Sequence, residues 1–355
     1  MLQPKSTPTQ RAIAKAAGVS QGLVSLVLSD TDADVAEATR IRIQETARRM
    51  GYSPKKNELR VSTKKGAGPG KRKVLAYIPC TFTRDIPGYE TIYDAYGEFY
   101  AQFQNQLVEA AYKKGFSLLV RPYGNPTEMT SWLIEWGVDG VIMHFNDQPL
   151  GEWISRRYPM VQINRRFVSE ADVVMPNQEE VITMTMEHLR KQGHRYIAHV
   201  TNSSSDSAIQ SRIDAYLKYA KKHGLHLYEE FLSCESAEQM ISLFFASSPR
   251  PTAIITGDPN ALTLQKEAAR RGLSLPEDLS VIGIDNISAA RFATPALTSV
   301  DIQIHEITRT ALSLIAERLN EPTRAFQKVE ISPKLIVRES VTSAPSHINP
   351  QSAIH

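Results

Sequence analysis

The chain has 355 residues, of which 42% are hydrophobic and 22% charged, with a formal net charge of +3. This length exceeds one ordinary domain and predicts two or three units with their own cores. The N-terminal segment lacks the apolar stretch of a signal peptide, and no run approaches the roughly 18 apolar residues of a membrane span. We therefore expect a cytoplasmic protein that is neither secreted nor bound to a membrane.

Charge is distributed unevenly along the chain. Residues 1–73 contain 15 lysines and arginines against 6 acidic residues, whereas the remainder contains 26 basic and 32 acidic residues. A small basic segment on a mildly acidic body is typical of a nucleic-acid-binding module joined to a second unit. Basic segments are often only solvated tails, but this one coincides with a helical motif, which favours DNA binding.

The motif runs from Gln10 to Ser29, QRAIAKAAGVSQGLVSLVLS, and predicts two short helices. Apolar residues at helical spacing precede Gly18, which tolerates the positive φ of a tight turn. Ser20 is a candidate N-cap for the second helix. This arrangement predicts a helix-turn-helix, whose second helix can enter a DNA major groove, although any αα-hairpin has similar spacing.

A third helix is predicted from Ala36 to Met50, followed by Gly51 as a candidate C-cap. Its apolar positions are Ile41, Ile43, Ala47 and Met50. Three helices in so short a segment make a small all-α headpiece, which we assign to residues 1–53. Residues 54–73 are basic and end in a Gly/Pro-rich run, which predicts a linker.

From Val74 onward, strands and helices alternate. The predicted strands are 74–78, 117–120, 138–143, 160–164, 196–200, 253–256 and 280–285, and the predicted helices are 99–114, 179–192, 207–223 and 259–271. Repeated βα units with apolar strands predict parallel sheets covered by helices on both faces. This segment is too long for one comfortable sheet, so we expect two lobes with a small-molecule cleft between them.

Several motifs occur together in one order along the chain. They are AIAKAAGVSQGLVSLVLS and VAEATRIRIQETARRMGYSP in the head, then VLAYIP, KKGFSLLV, GVDGVIM, LRKQGHRYIAHV, PTAIITGD, LPEDLSVIGIDN and FATPALTSV. This set resembles the LacI/GalR (lactose-repressor) family of bacterial transcription factors over about residues 9–340. The resemblance implies a helix-turn-helix headpiece plus an α/β two-lobed periplasmic-binding-protein-like (type I) effector domain with parallel sheets.

The same resemblance implies a homodimeric, sequence-specific transcriptional regulator, expected to be a repressor. It would bind a palindromic double-stranded DNA operator, and a small effector, expected to be sugar-like, would switch that affinity. We assign the effector-binding and dimerisation domain to residues 74–340. The first lobe comprises residues 74–175 and 302–327, and the second comprises residues 177–299 and 328–340. The tail, 341–355, has no heptads, so a dimer is expected rather than a tetramer.

The resemblance also implies which residues contact DNA. They are Ser20, Gln21, Gly22, Ser25, Leu26, Thr39, Arg40 and Val61. Gln21 can pair with adenine and Leu26 can contact a thymine methyl, whereas Gly22 has no side chain and would permit close approach. Ser20, Ser25, Thr39 and Arg40 suit phosphates, and for Ser20 the capping role is an equal alternative. Val61 stands where the family places a leucine wedge in the minor groove, within a segment of poor helix propensity.

Six residues match the family's effector positions. They are Phe99, Tyr100, Asn164, Arg212, Asp258 and Asp285. The alternative for Arg212 is a structural salt bridge with Asp285, and the alternative for Phe99 is core packing. A Tyr-rich insertion at 83–97 is either a lid over the cleft or a surface loop.

Catalysis finds no support in the sequence, since there is neither a Gly-rich phosphate loop nor a nucleophile elbow. We expect no cofactor. The nine histidines have no ligand spacing, and Cys80 and Cys234 are expected to be buried, reduced thiols. Two other functions stay open. One is a solute-binding protein of a transport or sensing system, and the other is a DNA-binding dimer that senses nothing.

Overall fold

The computed structural model of the chain describes residues 9–28, 35–50, 72–79, 90–144, 147–201, 207–234 and 236–345. The chain divides into two compact units, residues 1–70 and residues 71–355. Within the described residues, no helix combines the length and apolarity needed to cross a membrane. Cys234 is buried as a free thiol, and Cys80 lies outside the described residues.

Three helices form the first unit: α1 (Gln10–Ala17), α2 (Gln21–Leu28) and α3 (Glu37–Arg49). Gly18 ends α1 with φ 66°, in the left-handed region that glycine occupies without a steric cost. The Ser20 Oγ accepts the backbone N–H of Leu23 at 3.2 Å, so Ser20 does cap α2. The helix-turn-helix prediction is confirmed.

The core of this unit uses one stripe from each helix. Its buried members are Ile13, Ala14, Ala17, Val24, Val27, Ile43 and Ala47. The prediction that Ile41 joins this core is wrong, since its side chain is 45% exposed. Ile43, Ala47 and Met50 repeat at helical spacing, and Ile41 lies about 200° around the helix from Ile43, on the solvent side.

The first lobe of the second unit contains a six-stranded parallel sheet. Its strands are β1 (Val74–Ile78), β2 (Ser117–Val120), β3 (Gly140–Met143), β4 (Met160–Ile163), β5 (Asp172–Pro176) and β10 (Lys328–Ile331). The strand order is β10-β5-β4-β3-β1-β2, and all pairs are parallel. The helices of this lobe are α4 (Glu90–Lys113), α5 (Pro126–Trp136), α6 (Gln148–Ser155) and α12 (Ile304–Asn320).

The second lobe contains a five-stranded sheet. Its strands are β6 (Ile197–His199), β7 (Ala253–Ile255), β8 (Ser280–Ile284), β9 (Thr298–Asp301) and β11 (Lys334–Ile336), in the order β11-β9-β8-β7-β6. Only β11 among these described strands runs antiparallel to its neighbour. The helices are α7 (Gln178–Lys191), α8 (Ser207–His223), α9 (Ala237–Ala246), α10 (Asp258–Arg270) and α11 (Ser288–Phe292), with a 3₁₀ turn at Glu229–Ser233. The predicted two-lobed α/β fold is confirmed.

The central strands of each sheet are buried on both faces, as β1 illustrates. Leu75 and Tyr77 join the core beneath α4, whereas Ala76 and Ile78 join the core beneath α5. All four side chains are fully buried. Side chains that alternate between two apolar layers explain why the strands read as continuous apolar runs in the sequence.

The chain passes between the lobes three times: after β5, after β9, and between β10 and β11. The sequence assignment of residues 328–331 to the second lobe is wrong, since β10 pairs in parallel with β5 in the first sheet. Four consecutive pairings, from Lys328 with Val173 to Ile331 with Pro176, fix that edge position. The last crossing therefore follows Ile331 instead of preceding Lys328.

Helix α4 is longer than the sequence predicted. It begins at Glu90 instead of Phe99, so residues 90–97 of the Tyr-rich insertion are helical and not part of a loop. Gly97 lies inside this helix, where an added Cβ would meet no atom within 4 Å. Residues 83–89 lie outside the described residues, and the role of the insertion stays a prediction.

Candidate functional sites

The exposed face of α2 carries three of the predicted DNA contacts. Gln21, Gly22 and Ser25 are exposed, while Val24 and Val27 on the same helix are buried in the headpiece core. The buried pair fixes the rotation of the helix, so the other face is available to a partner. This is the geometry that a recognition helix requires.

Among the described residues, nothing requires a glycine at position 22. Its φ is not positive, and an added Cβ would meet only the Ser20 Oγ, at 4.0 Å. Glycine in a helix is about 0.5–1 kcal/mol less favourable than alanine. An unforced glycine on an exposed helix face is consistent with close approach of an external partner.

The other predicted DNA contacts are placed less fully. Thr39 and Arg40 lie in the first turn region of α3, where their backbone N–H groups donate to the Ala36 carbonyl at 2.8 and 3.1 Å. Both side chains are half-buried. The Leu26 side chain and all of Val61 lie outside the described part of the structure.

An aromatic wall borders the first lobe near the carboxyl ends of its strands. His144 directly follows β3 and is enclosed by Phe99, Tyr100 and Phe103, with ring centroids 4.5–6.4 Å away. Phe99 is buried at the base of this wall, and Tyr100 is half-buried. The structure thus brings the predicted pair together, with Phe99 also serving the core.

His144 is a residue that sequence reasoning missed. Its Nδ1 lies 3.2 Å from the Tyr77 hydroxyl, and its buried Nε2 has no partner among the described residues. Burial and the charge of Arg165 hold the pKa of His144 well below its ordinary value, so the imidazole is neutral. In the sequence, a single histidine after an apolar strand did not indicate a buried, neutral imidazole beside the aromatic wall.

Asn164 directly follows β4 and adopts φ 69°. Its backbone N–H donates to the Val174 carbonyl at 2.8 Å, and its side chain is nearly buried. Asp285, which directly follows β8 in the other lobe, adopts φ 107°. Positive φ at non-glycine residues costs roughly 1–3 kcal/mol and is concentrated at functional sites.

Arg212 projects from α8 and is anchored at one end. Its Nε donates to the Gln178 Oε1 at 2.6 Å, and its terminal Nη groups donate to no described residue. Because arginine only donates, the Gln178 oxygen must face it, which leaves the buried Gln178 Nε2 as a donor without a described partner. Gln178 had no distinguishing feature in the sequence.

Asp285 is a nearly buried carboxylate to which no described residue donates a hydrogen bond. Burial raises its pKa to about 6, and the positive charge of Arg212 opposes this rise. The predicted alternative, a direct Arg212–Asp285 ion pair, is not formed, since the nearest acceptor of Arg212 is the Gln178 amide. An unpaired buried carboxylate calls for a donor from outside the chain.

Asp258 differs from Asp285 because each oxygen of its carboxyl group accepts a hydrogen bond from the protein. Its Oδ1 accepts the Ser299 hydroxyl at 2.6 Å and its Oδ2 accepts the Ile287 N–H at 2.8 Å. It is fully buried against Gly283, where a Cβ would approach Oδ1 to 1.8 Å. Burial and the nearby charge of Asp285 raise its pKa to about 8. The structure gives Asp258 a role in holding the loop after β8.

Two further polar atoms complete the second-lobe site. Thr256 follows β7, the neighbour of β8 and its Asp285, and His199 ends β6, the next strand along, so these groups share the carboxyl edge of one sheet. The buried His199 Nε2 and Thr256 Oγ1 lack partners among the described residues. The His199 Nδ1 faces the Ile255 carbonyl at 3.2 Å and must carry the proton, so Nε2 is an acceptor. Burial lowers the His199 pKa to about 4.

Comparison with known proteins decides the family. Residues 9–55 match the model "Bacterial regulatory proteins, lacI family", and residues 186–341 match the model "Periplasmic binding protein-like domain". The HTH-type transcriptional repressor PurR of Vibrio vulnificus (strain CMCP6) is 26% identical over 348 residues, which span 94% of this chain and 98% of PurR. The chain belongs to the LacI/GalR family of bacterial transcriptional regulators.

Solved structures of LacI/GalR proteins share this fold. The transcriptional regulator CelR in complex with cellobiose has a TM-score of 0.65 and 22% identity, covering 94% of this chain and all of CelR. The Lac repressor dimer bound to operator and the anti-inducer ONPF has a TM-score of 0.63 and 17% identity, covering 95% of this chain and all of the repressor chain. The lacI-family match of the headpiece and the full-length similarity to PurR, together with this fold, make the chain a DNA-binding transcriptional regulator with a small-molecule effector domain.

Proposed function

We propose that the chain is a cytoplasmic, homodimeric repressor. Two headpieces would bind a palindromic operator, and a small sugar-like effector between the lobes would set the affinity for DNA. The full-length similarity to PurR, named as a repressor, supports the direction of control. The Lac repressor structure is a dimer on its operator, and one three-helix headpiece makes few base contacts alone, which supports a dimer here.

The class of effector is inferred from the hydrogen-bonding groups of the second-lobe site. In the second-lobe site, the donor atoms without partners among the described residues are the Arg212 Nη groups and Gln178 Nε2, and the acceptor atoms are the Asp285 oxygens and His199 Nε2. A hydroxyl both donates and accepts, so a polyhydroxylated ligand matches such an alternation group by group. The aromatic wall of the first lobe suits the apolar C–H face of a sugar. CelR, which has the same fold, was solved with cellobiose.

The described residues contain no cluster of three or more His, Cys, Asp or Glu side chains that could hold a metal. The charged groups of the second-lobe site, Arg212 and Asp285, supply a donor and an acceptor suited to recognising a ligand. We infer that the protein acts through binding and not through catalysis, in keeping with a family of regulators.

Isothermal titration calorimetry of the full-length protein tests the effector class. The panel contains mono- and disaccharides, including cellobiose, with nucleobases and amino acids as competing classes. A sugar that binds and changes operator affinity in a gel shift is the expected result. Binding confined to nucleobases or amino acids would overturn the sugar assignment, and no response to any panel member would favour a dimer that senses nothing.

A further inference from the structure

Two described hydrogen bonds join the lobes away from the three chain crossings. The Glu98 Oε1 on α4 accepts the Ser288 N–H at the start of α11, at 2.6 Å. The Ser207 hydroxyl at the start of α8 donates to the Arg166 carbonyl after β4, at 3.2 Å. These two contacts bridge the lobes in the arrangement that the structure shows.

The Glu98 contact is the stronger of the two because it is charge-assisted. Burial alone raises the pKa of Glu98, but donors at Ser288, Gln102 and Ala289 outweigh it and lower the pKa below its ordinary value. Gln102 donates to the same Oε1 at 3.2 Å. Glu98 is thus ionised at neutral pH, and hydrogen bonds to an ionised acceptor are roughly twice as strong as neutral ones.

The position of this contact links the two walls of the effector site. Glu98 directly precedes Phe99 and Tyr100 in the first lobe, and Ser288 follows Asp285 by three residues in the second.

The loop that carries Asp285 is itself rigid. The Asp285 N–H donates to Val300 O at 2.9 Å, the Asn286 N–H to Ser299 Oγ at 3.0 Å, and the Ile287 N–H to Asp258 Oδ2 at 2.8 Å. A displacement of Ser288 therefore moves Asp285 with it.

We propose that Glu98 is a positioning residue that latches the lobes closed and so sets how much of the effector-free protein is ready to bind. Glu98 would act on the effector by holding the aromatic wall opposite Asp285. This inference rests on the proposed effector function for its biological meaning, but the latch itself is a hydrogen bond between two groups of the chain.

The expected consequence follows from population arithmetic. When only a fraction of molecules is closed, the apparent dissociation constant of a ligand that needs the closed form rises by the inverse of that fraction. Loss of one charge-assisted hydrogen bond at a half-exposed site is expected to lower the ratio of closed to open molecules about 10-fold. Every ligand of the closed cleft would lose affinity by one common factor, the closed fraction of the wild type divided by that of the variant, which approaches 10-fold only when the closed form is already the minority.

Three variants of the full-length chain test separately the charge of Glu98, its acceptor oxygen and the donor N–H of Ser288. Glu98→Gln keeps an acceptor without the charge, and Glu98→Ala removes both. Ser288→Pro removes the partner N–H at the first helical position, which proline tolerates. The preceding Ile287 has φ −64° and ψ 157°, a conformation suited to a residue before proline. Glu109→Gln is the matched control, because Glu109 lies on the same helix and pairs only within it, with Lys113.

Double electron–electron resonance measures closure without any effector. The spin labels replace two exposed residues, Glu135 in the first lobe and Arg270 in the second. Labelled protein is diluted with unlabelled protein so that only distances within one chain are detected. Glu98→Ala and Ser288→Pro are expected to broaden and lengthen the distance distribution alike, the double variant no more than either, and Glu98→Gln by an intermediate amount.

Two results would overturn the latch. One is a wild-type distance distribution in both Glu98→Ala and Ser288→Pro, and the other is an equal change in the Glu109→Gln control. Because no effector is added, failure of the sugar assignment leaves this measurement unaffected. Conversely, loss of closure in the variants would stand even if the effector proved to be another class of molecule.

Discussion

Arg212 is fixed at Nε by Gln178, and no described residue accepts a hydrogen bond from its Nη groups. We expect Arg212→Ala to lower effector affinity about 10- to 100-fold, because hydrogen bonds from a charged donor contribute roughly 1.5–3 kcal/mol each. Operator binding without effector should be nearly unchanged. Calorimetry and gel shifts measure the two properties separately. Lys218→Ala is the control, since Lys218 lies on the same helix and pairs with Glu179 at the surface; an unchanged effector titration for Arg212→Ala would return Arg212 to a structural role.

Asp285 predicts a dependence on pH. Burial raises its pKa from 3.8 to about 6, with Arg212 opposing the rise. A raised folded-state pKa means that the carboxyl contributes stability below about pH 4, and that this contribution is lost as the pH rises through 6. Asp285→Asn should therefore stabilise the protein more at pH 8 than at pH 4, by up to about 3 kcal/mol.

Urea unfolding at several pH values checks this expectation. The protonation of Asp285 also affects function, because only the ionised carboxylate is a full acceptor for effector hydroxyls. Effector affinity should fall as the pH drops below about 6, and Asp285→Asn should flatten that step. A stability difference that does not change between pH 4 and pH 8 would show that Asp285 keeps an ordinary pKa.

At the scale of one element, the two glycines of the helix-turn-helix make a matched pair. Neither would bring a new Cβ within 3.5 Å of another atom, but only Gly18 has a positive φ. Gly22→Ala should stabilise the headpiece by about 0.5–1 kcal/mol, whereas Gly18→Ala should destabilise it by about 1–2 kcal/mol. If DNA approaches Gly22 closely, Gly22→Ala should also weaken operator binding despite its added stability.

Thermal unfolding and gel shifts with the full-length variants measure these two effects. A Gly22→Ala protein that is more stable and binds the operator with wild-type affinity would show that the exposed face of α2 does not approach DNA at this position. Gly18→Ala serves as the control for a loss of binding that comes only from a loss of headpiece stability.

Local sequence patterns correctly predicted the first and last residues of elements that are bounded by neighbouring turn residues. The bounds predicted for β1, β2 and α8 agree with the structure, because apolar runs and breakers such as Gly115 and Gly224 mark them. The start of α4 was misplaced by nine residues, since its first two turns lack a clear apolar stripe. The sheet that receives β10 depends on pairing with β5, more than 150 residues away, which no local pattern contains.

The site was predictable only in part for a similar reason. Arg212, Asp285 and the Phe99–Tyr100 pair came from the family resemblance, and their contact with the effector stays a prediction. Gln178, His144 and His199 emerged only once folding showed which of their polar atoms lack partners. Asp258 looked equivalent to Asp285 in the sequence, yet Ser299 and Ile287 occupy its oxygens. Which polar atoms on distant strands pair with one another, and which stay without a partner, cannot be read from one sequence.

At the scale of the whole molecule, the boundary near residue 70 separates a basic part from an acidic one. A fragment that begins at Lys71 retains both sheets and their helices, so it should fold, dimerise and bind the effector. It should bind no operator DNA, because the headpiece supplies the recognition helix. Analytical ultracentrifugation and gel shifts test both statements. Operator binding by the fragment would sink the assignment of DNA recognition to the headpiece.

The same charge asymmetry predicts how DNA binding responds to salt. Residues 1–73 carry an excess of nine positive charges per chain, and two chains act together on a palindrome. Each neutralised phosphate releases counterions, so the logarithm of the association constant should fall with the logarithm of salt concentration by several units per dimer. The basic linker should contribute to this slope. Replacing Lys64 and Lys65 by Gln should flatten it by up to about two units per subunit.

Val61→Ala should weaken operator binding by well under about 1 kcal/mol of free energy, because a short β-branched side chain buries little area as a wedge. Gel-shift titrations at a series of salt concentrations measure the slope, and circularly permuted operator fragments report bending. A strong bend that collapses in Val61→Ala would show that the linker inserts a side chain between base steps and does more than supply charge.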